Sequence, residues 1–149
     1  MGISEEIKQE KFKSQYSKAV VNVIYTSAWL HQQHIQLFKL YGLTTPQFNI
    51  LRILRGQHPK PATVNLLIDR MLDKSSNASR IVDKLEQKKL VERRQCSKDR
   101  RAVDVIISDQ GLELLREMDS KIEEWERAND KLTEKEAATL NSLLDKMRS

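Results

Sequence analysis

Residues 74–108 read KSSNASRIVDKLEQKKLVERRQCSKDRRAVDVIIS, a hydroxyl-rich opening followed by a strongly basic second half. Ala78, Ile81, Val82 and Leu85 fall at i, i+3, i+4 and i+7, a spacing that predicts a helix over about 74–89 with one buried stripe. With about 100° of turn per residue, the opposite face is centred on Ser76, Arg80, Asp83 and Gln87. Asn77, Ser79 and Lys84 flank it. Residues 90–95 and 102–107 are short and rich in β-formers, with Val103, Val105 and Ile107 alternating with Ala102, Asp104 and Ile106. They predict two antiparallel strands that close on a loop at 96–101.

Upstream, Tyr16, Ala19, Val20, Val23, Ile24, Leu30, Ile35, Phe38 and Tyr41 recur at mostly helical spacing with no internal Pro or Gly. One long helix, or two nearly collinear ones, is expected over about 7–41. Gly42 supplies a stop, and Thr44, Thr45 and Pro46 supply a start for a helix over about 46–56. Gly56, Pro59 and Pro61 end it, and a short helix over about 63–70 should bury Val64, Leu67 and Ile68. Downstream, Ser108 is placed to cap a helix over about 109–129 carrying Leu112, Leu115, Ile122 and Trp125. Thr133 and Glu136 have capping-box spacing for a last helix through Ala137, Leu140, Leu143, Leu144 and Met147. The pattern predicts a mainly α chain with a small β-hairpin, a winged helix-turn-helix, and the apolar stripes of its flanking helices, too large for a domain this small to cover, make them N- and C-terminal dimerisation helices. The organisation expected is a single domain over 1–149, with a DNA-binding lobe at 43–108 and a helical dimerisation region made of 1–42 and 109–149.

Charge is distributed to match. Residues 43–108 hold fourteen Lys and Arg against seven Asp and Glu, a net of +7, and residues 109–149 hold seven against eleven, a net of −4. A basic module mounted on an acidic scaffold points to a polyanionic partner. The single cysteine, Cys96, cannot form an internal disulfide, and no apolar run is long enough to span a bilayer. The charged start MGISEEIKQEKFK has no apolar segment of a secretory signal, so a cytoplasmic location is expected.

On the helix, Lys74, Ser75, Ser76, Asn77, Ser79 and Arg80 offer hydroxyls, an amide and cations that can bond base edges and phosphates. The plainer account is that Ser and Asn sit there because they cap. Lys84 and Arg94 are read as phosphate clamps, which give affinity without sequence choice. On the hairpin tip, Lys98, Asp99, Arg100 and Arg101 form a charge run, and Asp99 is placed to orient Arg101 for a minor groove, with Arg100 as the alternative. Asp83, acidic on the DNA-facing side, is read as pairing with an arginine.

The stretch SSNASRIVDKLEQKKLVERRQCSKDRRAVDVIISDQG resembles the core signature of the MarR family of bacterial transcription regulators. The likeness includes Asp99, Arg100 and Arg101 at the wing tip and the Ser108 to Gly111 helix start, and with the flanking helices it spans nearly the whole chain. It implies a homodimer on a pseudo-palindromic duplex site, usually a repressor released by a small anionic or phenolic ligand. Independently, the apolar stripes of the first and last helices exceed what a domain this small can cover, so a second subunit is expected. The chain departs from the family pattern at Lys89, where Gly is common, and at Gln95 and Ser97, where prolines often stiffen the wing.

Other features are weighed against plainer roles. Tyr25, Trp29 and Phe48, with Trp125, are candidate effector-pocket residues, although aromatics at helical spacing are more often core. His31, His34 and His58 lack paired carboxylates or thiols, so no metal is expected, and no cofactor is called for. Cys96 lies among cations that favour its thiolate, and an incidental thiol is the better reading. No catalytic constellation is present, so the chain is read as a binding protein and not an enzyme. The competing function is a winged-helix module that docks an acidic protein partner.

Overall fold

Hydroxyl and amide side chains set where the helices begin. In the computed structural model, which describes residues 1–95, 98 and 101–149, Ser14, Thr44, Thr63, Asn77, Ser108 and Thr133 each accept a hydrogen bond from the backbone N–H three residues on. The elements they delimit are α1 (Ile3–Glu6), α2 (Gln15–Lys39), α3 (Thr45–Gln57), β1 (Ala62–Thr63), α4 (Val64–Arg70) and α5 (Ala78–Gln87). They continue as β2 (Val91–Gln95), β3 (Val103–Ile107), α6 (Asp109–Asn129) and α7 (Glu134–Arg148). Three helices and a hairpin stand in the middle, flanked by long helices. This is the winged-helix plan.

Several boundaries differ from the sequence expectation. The first long helix begins at Gln15 and not near residue 7, because Ser14 caps it and Lys8 takes a positive φ of 55° that interrupts any continuation from α1. The hydroxyl of Tyr25 donates to Glu6 Oε2 at 2.8 Å and ties α1 to α2. Helix α5 begins at Ala78 and not at 74. Asp73 Oδ1 accepts from the Ser75 N–H at 3.0 Å and from its hydroxyl at 2.6 Å, a local turn that competes with helix. The hairpin also gains a third strand, giving an antiparallel sheet in the order β1-β3-β2. Two residues after Pro61, the second of them itself the α4 cap, are too short a run for periodicity to register.

The core gathers Phe38 of α2, Ile50, Leu51 and Leu54 of α3, Leu67 of α4, Val82 and Leu85 of α5, Val91, Val105 and Ile107 of the sheet, and Leu115 and Met118 of α6. The expected stripe on α5 is the observed one: Ala78, Val82 and Leu85 are buried and Ile81 is half-buried. One expectation fails. Ile68 is 40 % exposed, because α4 turns Leu67 inward and its neighbour out.

Lys89 settles a question left open by its sequence. Its N–H donates to Glu86 O at 2.9 Å and that of Leu90 to Leu85 O at 3.0 Å, with Lys89 at φ 63°. Those two bonds define a Schellman stop whose left-handed residue is usually Gly. The turn keeps its glycine shape and the lysine carries the strain. Lys89→Gly is therefore expected to stabilise the fold by about 1 kcal/mol, and Lys89→Ala to leave it unchanged, read as a thermal midpoint.

Candidate nucleic-acid interface

The turn from α5 into β2 brings a helix face and a basic hairpin onto one side of the molecule. On α5, Ser79, Arg80, Asp83, Lys84 and Gln87 are exposed, and Ser76 just ahead of it is half-buried. Arg80 and Lys84 make no side-chain hydrogen bond or ion pair among the described residues. Their cations are available to a ligand.

Other predicted contacts are already engaged. The Asn77 side chain accepts from the Arg80 N–H at 3.1 Å, so the capping role applies there. The Lys74 ammonium donates to Ile68 O at 3.0 Å and to Asp69 O, satisfying carbonyls at the end of α4. Ser75 is folded onto Asp73. These three shape the loop that presents α5. The bonds between Asp73 and Ser75 also hold the Asp73 carboxyl below the usual carboxylate range.

On the hairpin, Arg94 pairs with Glu92 at 3.1 Å and both are exposed, a geometry worth little in water. Lys98 and Arg101 are exposed. Asp99, Arg100 and Cys96, with the proposed orientation of Arg101 by Asp99, lie outside the described residues.

Two functional candidates escaped the sequence reading. Arg93 is the partner that Asp83 required: its guanidinium pairs with Asp83, donates to Ser79 O at 3.0 Å and lies 3.8 Å from Glu86 Oε1. Period-2 alternation could have found it, since Arg93 shares a strand face with buried Val91. Lys88 donates to Gly42 O and to Gln47 Oε1 at 3.2 Å, linking the end of α5 to the corner between α2 and α3. Nothing in local spacing signals a contact across 46 residues.

The suspected effector residues divide. Trp29 and Trp125 line one open cavity of about 600 Å³ with Leu30, Glu123, Glu126 and Asp130. Tyr25 and Phe48 are not among its walls: the Tyr25 hydroxyl bonds Glu6, which pushes its pKa up, and Phe48 stacks on Phe38 at 4.3 Å. His34 packs on Phe38 at 5.4 Å and meets Trp125 edge-on at 5.2 Å. Burial, then nearby His31, hold its pKa below the ordinary histidine value against the pull of Glu126. Among the described residues no group of three or more His, Cys, Asp or Glu could hold a metal ion, and no helix is long and apolar enough to cross a membrane.

Comparison with known proteins fits this face. Residues 41–102 match the family model described as MarR family. The HTH-type transcriptional regulator MgrA of Staphylococcus aureus is 28 % identical over 112 residues, covering 75 % of this chain and 74 % of its own. Among solved structures, a MarR transcription factor from Planctomyces limnophilus superposes with a TM-score of 0.69 at 27 % identity, over 91 % of this chain and 98 % of that one. The S. aureus MepR–DNA complex superposes with a TM-score of 0.75 at 22 % identity, over 92 % and 96 %. At that identity the second likeness is one of fold.

Proposed function

We propose that the chain, whose residues 41–102 match the MarR-family model, is a DNA-binding transcription regulator that works as a homodimeric repressor, with its α5 helices entering successive major grooves. The observation that carries this reading is the exposed row Ser79, Arg80, Lys84 and Gln87 beside the basic hairpin. Arg80, Ser79 and Ser76 are assigned to base edges, Lys84 and Arg94 to phosphates, and Lys98 and Arg101 to the hairpin's approach to the minor groove. In this reading the lobe at 43–108 reads DNA and the helices of 1–42 and 109–149 hold two copies together. Such a regulator acts in the cytoplasm, where the chromosome is.

Release by a small effector completes the proposal, with the cavity at Trp29 and Trp125 as its site. Glu123, Glu126 and Asp130 outnumber Arg127 on the cavity wall. A neutral or cationic aromatic compound suits that charge better than the anion implied by family resemblance.

Selection of bound sequences from random duplex DNA by the purified protein tests the DNA reading. The expected product is an inverted repeat with half-sites about one helical turn apart, bound with an affinity that falls steeply with salt. Equal binding to selected and random duplexes would sink the reading and favour the acidic protein partner.

A further inference from the structure

Arg93 is not at the hairpin tip and offers no free cation to DNA, yet it makes several polar contacts across the proposed interface. It sits on β2 opposite Val105, next to the core, so its root is fixed. From there the guanidinium runs along one edge of α5. It pairs with Asp83, donates to Ser79 O at 3.0 Å and lies 3.8 Å from Glu86, while the Arg93 backbone N–H donates to Glu86 Oε2 at 3.1 Å. Positions 79, 83 and 86 follow one another at i, i+4 and i+7, which is one stripe over two turns. The stripe shares Ser79 with the groove-facing row and runs along its edge.

We infer that Arg93 is a positioning residue that locks the hairpin to the reading helix at one fixed angle and cancels the two carboxylates that α5 would otherwise present to DNA phosphates. This rests on the α5 face and the hairpin being the DNA contact. A planar fork is needed to meet a carbonyl and a carboxylate together, which a lysine ammonium does with far less geometric definition. The Asp83 side chain is half exposed, at 51 %, so the pair adds little to global stability. Its consequence is geometric: a helix in one groove and a hairpin in the next must keep a set separation to be bound at once.

The test compares wild type, Arg93→Lys, Arg93→Ala and Arg93→Ala with Asp83→Asn on a selected duplex and on random DNA. For Arg93→Ala, affinity for the selected site should fall about 10- to 100-fold, the scale of a lost specific contact, with a much smaller loss on random DNA. Hydroxyl-radical protection in the minor groove should fade while guanine N7 protection in the major groove persists. Arg93→Lys should recover random-DNA binding but not minor-groove protection, and adding Asp83→Asn should do the same. If Arg93 only touches phosphate, both affinities fall together, the salt slope drops by about one and both protections persist, which overturns the assignment. Amide exchange of the free protein provides a readout without DNA. Hairpin amides should exchange about tenfold faster in Arg93→Ala with α3 unchanged, and unchanged hairpin exchange counts against the clamp even if no duplex is selected.

Discussion

Gly111→Ala is expected to lower the thermal midpoint by roughly 6–12 °C, from a loss of about 3 kcal/mol, the upper end of what overpacking costs. An added Cβ would stand 2.4 Å from the carbonyl oxygen of Leu90 and 2.7 Å from Ile107 Cγ1. The first neighbour is backbone, and it cannot simply rotate away. That carbonyl also accepts the Ser108 N–H at 3.0 Å, while the Ser108 hydroxyl donates to Lys89 O at 2.7 Å and accepts from the Gly111 N–H at 3.0 Å. Gly111 therefore lies where α6 is pinned onto the turn between α5 and β2. Alanine is the better helix former by about 1 kcal/mol, so propensity alone forecasts the opposite sign. An unchanged or raised midpoint would show that close approach at this junction does not limit stability.

The residues explain which parts of this architecture could be read in advance. Stripes and caps are local, so Ala78, Val82 and Leu85, and the starts at Thr44, Ser108 and Thr133, agree with expectation. The family likeness was read from a contiguous signature at 75–111, and the MarR-family match at 41–102 overlaps it. What local pattern could not supply was competition and distance. Asp73 won Ser75 for a turn and shortened α5, turning Lys74, Ser75 and Asn77 into parts that shape the loop. Lys88 found Gly42, and β1 found β3, across stretches that no helical or strand period links. Arg93 is one charge among several in the sequence, and only its place on β2 sets it against Asp83.

Monomerisation is the other large effect expected. The Leu140→Glu, Leu143→Glu variant should sediment as a monomer at micromolar concentration and lose about a hundredfold or more in affinity for an inverted-repeat site, the gain that joining two binding modules confers. Helix α7 has no buried residue, with Leu140 44 % and Leu143 59 % exposed, and α2 likewise exposes Tyr16, Val23 and Ile24. Two apolar faces on opposite ends of one chain are what a symmetric partner would cover, as the proposed homodimer does. Two carboxylates placed in that contact would each need a counter-charge or water, at a cost of several kcal/mol per buried ion. Within the monomer the same positions face solvent, where Glu is a good helix former, so the helical circular dichroism of a self-supporting monomer should be retained. Loss of that signal at low concentration, restored by raising it, would mean instead that folding and dimerisation are one step. A variant that remains dimeric with wild-type affinity would remove α7 from the interface and leave α2 to hold the dimer.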